Sequence, residues 1–172
     1  QATGAFKLRG ALNAISRLPA ETHGVVCCST GNHGRAVAYA ARQRGLRAIV
    51  CMSALVPQAK VDGISALGAE VRIVGRSHEG FAEIPPFDHP DVIAGQGTIA
   101  FELVEARPDI ATILVPLSGG GLAAGIAFAA KLLKPGIRVI GISMDRGAAM
   151  HASLQAGRPV EVEEVPSLAD SL

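Results

Sequence analysis

Three consecutive glycines stand where a predicted strand meets a predicted helix, in the run Ser118-Gly119-Gly120-Gly121-Leu122. Backbone N–H groups that no side chain covers, at the positive end of a helix dipole, make a site suited to phosphate. A tight, closely packed turn would also use glycine, but three in succession favour phosphate. Gly119, Gly121 and Ala124, with Asp145 downstream, also satisfy the dinucleotide fingerprint, so the loop alone does not name the cofactor.

A second strand-to-helix junction carries hydroxyl, glycine and amide groups, in the run Ser29-Thr30-Gly31-Asn32-His33-Gly34. Free N–H donors at the start of a helix, with hydroxyl groups beside them, suit a carboxylate. A helix capped after a strand explains the same residues nearly as well. If both loops bind, the chain could hold a ligand with a phosphate at one end and a carboxylate at the other.

Lys7 follows Phe6 near the start of the chain. A single lysine in such a place is normally a solvated side chain. Its amine is nevertheless the side-chain group that forms imines, and its pKa shifts readily on burial. Local sequence alone does not decide between these two interpretations.

Hydrophobic periodicity predicts the elements that would position these residues. Predicted helices span 6–18, 34–44, 57–68, 96–106, 122–133 and 147–156, and predicted strands span 24–29, 47–52, 70–74, 112–117 and 138–143. This alternation is typical of parallel sheets with crossover helices. Between Val74 and Pro86 the pattern breaks, because the segment is too short for a crossover helix. The two runs predict an α/β protein with two lobes and a cleft between them: a smaller lobe of residues 21–94, and a larger one of 1–20 with 95–172.

Composition argues against several classes of protein. A formal net charge of +1 without a Lys/Arg run gives no case for nucleic acid or for a membrane surface, and no apolar stretch is long enough to span a bilayer. Cys27, Cys28 and Cys51 lie in apolar runs, which predicts reduced, buried thiols in a cytoplasmic protein rather than a catalytic cysteine. The five histidines show no ligand spacing, so we expect no metal site.

Four motifs, in order, resemble one enzyme family. Thr3 to Ala11 resembles the cofactor-lysine segment of the fold-type-II pyridoxal-phosphate enzymes, in the serine/threonine dehydratase and serine racemase branch. Ser29 to Gly34 resembles the substrate-carboxylate loop of that branch, Ile93 to Thr98 another characteristic stretch, and Ser118 to Leu122 its phosphate loop. The resemblance implies the two-lobed architecture of the tryptophan synthase β-like fold, with parallel sheets. Two further runs, 85–90 and 141–144, look closest to the hydroxyectoine-utilisation dehydratases.

The resemblance implies roles for individual residues. Lys7 would form the Schiff base with pyridoxal 5'-phosphate, Phe6 would lie against its ring, and Asn32 would hydrogen-bond its phenolic oxygen. The phosphate would be bound at the glycine loop, and the substrate carboxylate at the first junction. The predicted residues are Lys7 and Thr30 for catalysis; Phe6, Lys7, Asn32, Ser118, Gly119, Gly120, Gly121 and Leu122 for the cofactor; and Ser29, Thr30, Gly31, Asn32 and His33 for the substrate.

Some residues depart from the family pattern. Ser118 stands where the family often has a fourth glycine, so the phosphate loop is slightly altered. Thr30 stands where racemases place the Ser that protonates the opposite face, which favours dehydratase over racemase. Ser143 replaces a metal-binding Glu of the racemases, so no cation site is expected. A family member would also have residues before Gln1, a crossover helix between Val74 and Pro85, and a long part after Leu172.

The resulting hypothesis is a lyase that removes water from a small hydroxy-amino acid, giving a 2-oxo acid and ammonia. Lys7 would take the Cα proton, and the β-hydroxyl would leave. We expect a cytoplasmic homodimer whose only other partner is the small amino-acid substrate. Three alternatives remain open: a serine racemase, a nicotinamide-dependent oxidoreductase based on the glycine loop alone, and a non-catalytic metabolite-binding protein.

Overall fold

Two units divide the chain, Gln1–Gln96 and Gly97–Leu172, and each is described by itself. The structure, a computed structural model, describes residues 1–29, 31–54, 56–73, 81–145 and 147–163. Both units contain parallel strands with helices in the connections between them. The α/β class predicted from the sequence is therefore confirmed.

A parallel sheet of order β3-β2-β1-β4 forms the first unit. Its elements are α1 (Lys7–Ser16), β1 (Gly24–Cys28), α2 (Asn32–Gln43), β2 (Arg47–Met52), α3 (Gln58–Ser65), β3 (Glu70–Ile73), β4 (Ala82–Glu83) and the first part of α4 (Pro90–Ala106). Strands β1 and β2 are short and mostly apolar. This composition suits strands that, like these two, are buried along almost their whole length. Since the strands are parallel, their carboxyl ends share one edge of the sheet.

Helices α1 and α2 pack against each other, and α2 also contacts β1 and β2. Small residues make this close packing possible: Ala36, Val37 and Ala41 in α2 are fully buried. Arg44, at the end of α2, donates hydrogen bonds to the carbonyls of Ile15 and Leu18, at 2.5 and 2.6 Å. These bonds tie the end of α2 to the last turn of α1 and the residues that follow it.

The described part of the second unit contains the rest of α4 and a βαβ arrangement of β5 (Thr112–Pro116), α5 (Gly121–Leu133) and β6 (Arg138–Ile142), followed by α6 (Ala149–Ala156). Strands β5 and β6 pair in parallel, from Thr112 opposite Arg138 to Pro116 opposite Ile142. The core between α5 and the strands includes Val115, Ala130 and Ile137. The Ser118–Gly121 turn lies at the carboxyl end of β5, where α/β proteins bind ligands.

Three sequence expectations need correction. The pattern gave no strand in 75–86, whereas Ala82–Glu83 pairs in parallel with β1; two residues are too few to show a period. Helix α4 begins at Pro90 rather than at Gln96, since proline suits the first turn of a helix. Cys27 and Cys51 are buried as expected, but Cys28 is exposed at the end of β1.

The N-terminal helix groups with residues 21–96 here, because α1 packs on α2. The predicted grouping, 1–20 with 95–172, stays a prediction for the lobes of the whole protein. Within the described residues, no helix has the length and apolar character needed to cross a membrane.

Candidate active site

The junction between β1 and α2 keeps backbone donors open. The Ser29 N–H donates to the Cys51 carbonyl at 3.1 Å, which fixes the loop to the neighbouring strand. The Ser29 hydroxyl accepts a hydrogen bond from the Gly31 N–H at 3.2 Å. Gly31 is the N-cap of α2 and has no side chain to cap the helix, and a Cβ built on it would meet nothing within 4 Å. The free space and the first N–H groups of α2 together suit a small anion.

Glycine at position 34 lets α2 begin close to the sheet. A Cβ there would lie 2.9 Å from Val50 Cγ1 and 3.0 Å from Ile64 Cδ1. A larger residue would push the first turn of α2 away from β2 and from the loop that the turn supports. Gly34 therefore serves packing.

The predicted substrate residues differ in exposure. Asn32 is exposed at the first position of α2, whereas the His33 side chain is only 3 % exposed. The His33 ring nitrogen Nε2 lies 2.7 Å from the Ile84 carbonyl oxygen. Any contribution of His33 to a bound carboxylate would thus come from its backbone N–H. Thr30 lies outside the described residues.

Burial of the His33 ring lowers its pKa to about 4, and the nearby charge of Lys7 acts in the same direction, against the opposing effect of the hydrogen bond to Ile84. At neutral pH the ring is therefore uncharged. Since the carbonyl can only accept, Nε2 carries the proton. The other ring nitrogen, Nδ1, is buried without a partner among the described residues.

Lys7 begins α1 and is partly buried. Its Nζ donates a hydrogen bond to the Pro86 carbonyl at 2.9 Å. The same atom lies 5.8 Å from the ring centroid of Phe6 and 5.7 Å from that of Phe87. Burial lowers the pKa of Lys7. A lysine that is easily deprotonated can act as a nucleophile toward an aldehyde and as a base.

Two glycines bring α1 against α4 and so help to fix Lys7. A Cβ on Gly95 would lie 2.5 Å from the Arg9 carbonyl oxygen, and a Cβ on Gly10 would lie 2.5 Å from Gln96 Nε2. The two helices therefore meet backbone to backbone, one turn after Lys7. This explains Gly95, the first of the two glycines in the Ile93-to-Thr98 motif, whose structural role the sequence did not reveal.

The glycine loop of the second unit forms the start of α5. Gly120 is its N-cap and adopts φ +87°, a left-handed conformation that favours glycine. A Cβ on Gly120 would come within 2.7 Å of Met150 Cε. The first N–H groups of α5 have no acceptor within the helix, and the N-cap has no side chain to supply one. The loop therefore fits a phosphate group.

The predicted site residues fall into three described groups. Phe6 and Lys7 are adjacent at the start of α1; Ser29, Gly31, Asn32 and His33 form the β1–α2 junction; and Ser118 to Leu122 form the loop before α5. Lys7 and His33 both contact the short segment after β4 through carbonyls. Neither Pro86 nor Phe87 was predicted as a site residue, although both lie in the family-like run 85–90.

A lysine amine with a lowered pKa and a helix N-terminus made of glycines are the groups that pyridoxal phosphate requires, one for its aldehyde and one for its phosphate. The residues present thus fit the cofactor that the sequence suggested. Burial raises the pKa of Cys27 to about 12, which argues against a thiolate nucleophile there. Among the described residues, no cluster of His, Cys, Asp and Glu side chains could hold a metal ion.

The family model for pyridoxal-phosphate dependent enzymes matches residues 1–172, the whole chain. The chain belongs to this family. The match supports pyridoxal phosphate over a dinucleotide as the cofactor. It also confirms the family resemblance inferred from the four motifs.

Curated relatives of this pyridoxal-phosphate family member carry threonine dehydratase names. A Sinorhizobium fredii protein, provisionally named a threonine dehydratase, is 58 % identical over 187 residues, covering 100 % of this chain and 56 % of that protein. The L-threonine ammonia-lyase of Geobacter sulfurreducens is 41 % identical and covers the same share of this chain, but 46 % of that protein. The chain therefore spans about half the length of these relatives.

Among solved structures, the processed threonine deaminase isoform 2 of Solanum lycopersicum superposes with a TM-score of 0.91 at 37 % identity, covering 99 % of this chain and 51 % of that one. Maize serine racemase gives the same TM-score at 36 % identity, covering 99 % and 56 %. These similarities place this family member in the fold-type-II serine/threonine dehydratase and serine racemase branch.

Proposed function

We propose that the protein is a pyridoxal-phosphate-dependent lyase that eliminates water from a small hydroxy-amino acid. The enamine released takes up water again as it hydrolyses to a 2-oxo acid and ammonia. The observation that carries the proposal is Lys7, a partly buried amine held by the Pro86 carbonyl within the cofactor-lysine motif. The dehydratase and ammonia-lyase names of the relatives support the same reaction class. Because the chain spans about half of each relative, the activity is proposed for the whole protein.

The proposal assigns cofactor contacts to three groups of residues. Lys7 would hold the cofactor aldehyde through Nζ, Phe6 would lie beside the cofactor ring, and Asn32 would donate a hydrogen bond to the ring oxygen. Ser118 and the backbone N–H groups of Gly119 to Leu122 would hold the phosphate. When bound, the cofactor supplies an electron sink that stabilises negative charge at the substrate Cα.

Lys7 also acts as the base in this proposal. A neutral amine at Nζ accepts the proton from the substrate Cα, and the lowered pKa favours that neutral form. The Ser29-to-His33 junction, including Thr30, binds the substrate carboxylate. Carboxylate binding at the N-terminus of α2 would hold the Cα in one orientation, which favours proton removal from one face.

Serine racemase activity is the second candidate, because serine racemase structures are among the close matches. Racemisation needs a proton donor on the face opposite Lys7, and the racemases of this branch place a Ser where this chain has Thr30. The β-methyl of a Thr restricts χ1, which makes its hydroxyl a more hindered proton donor than that of a Ser. Elimination needs no donor on that face, so Thr30 favours elimination.

The finer assignments rest on sequence alone. The runs Pro85-Pro86-Phe87-Asp88-His89-Pro90 and Gly141-Ile142-Ser143-Met144 look closest to the hydroxyectoine-utilisation dehydratases, so we propose a role in hydroxyectoine or in threonine and serine catabolism. We propose a cytoplasmic homodimer as the working form of the whole protein.

The proposal is tested by incubating the full-length protein and pyridoxal phosphate with L-serine, L-threonine and a hydroxyectoine-derived amino acid. A 2-oxo acid assay is run beside chiral chromatography of the remaining amino acid. We expect 2-oxo acid and ammonia to form much faster than D-amino acid, and Thr30→Ser to raise the racemised fraction. Mainly D-amino acid from the wild type would reject the dehydratase; no turnover of any of the three would favour the non-catalytic alternative.

A further inference from the structure

Two backbone carbonyls in the short segment after β4 accept hydrogen bonds from His33 and Lys7, which are both predicted site residues. The Ile84 carbonyl accepts a hydrogen bond from His33 Nε2 at 2.7 Å, and the Pro86 carbonyl accepts one from Lys7 Nζ at 2.9 Å. The two acceptors are separated by Pro85 only. A displacement of this segment would therefore disturb the partner of His33 and the partner of Lys7 together.

The segment is stiff. Ile84 is 3 % exposed, and its N–H donates to the Val26 carbonyl at 2.9 Å, which ties it to β1. Pro85 and Pro86 have φ fixed near −65° by their rings, so the chain between the two carbonyls has little freedom to absorb a shift. A shift of the Ile84 carbonyl would therefore move the Pro86 carbonyl with it.

The neutral His33 ring serves as a hydrogen-bond donor to the Ile84 carbonyl. It is buried at the start of α2 with Nδ1 unpartnered among the described residues, an arrangement that costs stability. A leucine would fill the same space without that cost, so packing alone does not explain a histidine. What histidine adds is an N–H at Nε2, directed at the Ile84 carbonyl.

We propose that His33 is a positioning residue for Lys7, acting through the Ile84 carbonyl and the Pro85–Pro86 segment. The ring fixes the segment, and the segment's Pro86 carbonyl and Phe87 ring fix Lys7 Nζ. The effect on catalysis rests on the proposed function, in which Lys7 is the reacting group. The positioning of Lys7 by His33 does not depend on a cofactor.

The test measures the reactivity of Lys7 in the protein without cofactor or substrate. Trace labelling with acetic anhydride across a pH series, followed by peptide mapping, gives a titration midpoint and a limiting rate for Lys7. Lys60, Lys131 and Lys134 in the same samples serve as internal references. His33→Leu should raise both the midpoint and the limiting rate of Lys7, because the amine becomes more solvated. His33→Gln, which can place an N–H near Ile84, should largely restore the wild-type values.

Two further variants keep the test decisive. Pro86→Ala retains the carbonyl but frees φ, so it should change Lys7 labelling in the same direction with His33 intact. His23→Leu, at an exposed histidine of the same unit, should leave Lys7 labelling unchanged. Unchanged Lys7 labelling in folded His33→Leu and in Pro86→Ala would overturn the inference, whether or not the protein is a lyase. Conversely, cofactor attachment at another lysine would reject the proposed function while leaving this result intact.

Discussion

At the residue scale, Lys7 differs from an ordinary surface lysine by what surrounds its amine. The Pro86 carbonyl accepts a hydrogen bond from Nζ at 2.9 Å, two aromatic rings have their centroids within 6 Å of Nζ, and burial lowers the pKa of the amine. The carbonyl and the rings favour the ammonium form, whereas desolvation opposes it. Desolvation is the larger effect on the pKa, which leaves the amine more easily deprotonated than a solvated lysine.

Gly120 provides a test of the phosphate loop. Its φ of +87° is strained for any other residue by about 1–2 kcal/mol, and a Cβ there would contact Met150. Gly120→Val should weaken pyridoxal-phosphate binding by about tenfold or more while preserving the far-UV circular dichroism. Gly157→Val carries similar strain at φ +65° in open space, and should leave cofactor affinity unchanged. Equal affinity for the cofactor in both variants and in the wild type would count against the loop.

His33 should make stability depend on pH. Its folded pKa of about 4 lies below the unfolded value of 6.5, so the unfolded state binds the extra proton between these values. Stability from the neutral ring is present above pH 6.5 and is lost as the pH falls toward 4, by about 3 kcal/mol. Urea unfolding at pH 7 and pH 4 should show a smaller loss for His33→Gln than for the wild type and for His23→Gln. Identical losses would refute the assignment.

At the element scale, the ligand-binding candidates of each unit lie where a strand ends and a helix begins. Ser29 to Asn32 join β1 to α2, and Ser118 to Gly121 join β5 to α5. In both places the N-cap is a glycine, so the helix N–H groups stay open for a ligand. Glycine also serves packing, as at the crossing of α1 and α4.

The crossing of α1 and α4 predicts opposite effects for the same substitution at two helical glycines. Gly95→Ala places a Cβ 2.5 Å from the Arg9 carbonyl oxygen and should destabilise the protein by about 1–3 kcal/mol. Gly63→Ala in α3 meets nothing within 4 Å and should be neutral or stabilising by up to about 1 kcal/mol. Free energies of unfolding from urea titration compare the two. A Gly95→Ala protein as stable as wild type would mean that the helices do not meet so closely.

Sequence periodicity predicted the helices and strands that are long enough to repeat a hydrophobic pattern within their own residues. Strand β2 was predicted at its observed limits, and α2 to within two residues, because a buried strand and an amphipathic helix each repeat their pattern several times. The two-residue β4 owes its pairing to β1 and has no pattern of its own. The contacts of Lys7 and His33 with residues 84–86 join positions more than fifty residues apart, which no local pattern encodes.

At the scale of the whole molecule, the chain is a member of the pyridoxal-phosphate-dependent enzyme family that spans about half of its curated relatives. The first unit contains Lys7 and the Ser29-to-His33 junction, and the second contains the Ser118–Gly121 loop. The proposed lyase needs a lysine for the cofactor, a phosphate-binding loop and a carboxylate-binding loop. Of these requirements, covalent attachment at Lys7 is the most specific.

Attachment at Lys7 is tested by reducing the full-length protein with borohydride in the presence of pyridoxal phosphate and mapping the labelled peptide. The account predicts a stable pyridoxyl group on Lys7, because reduction fixes the bond between the amine and the cofactor aldehyde. Lys7→Ala should lose the label while remaining folded by circular dichroism. A label on Lys60, Lys131 or Lys134 in the wild type, with Lys7 unmodified, would contradict the account.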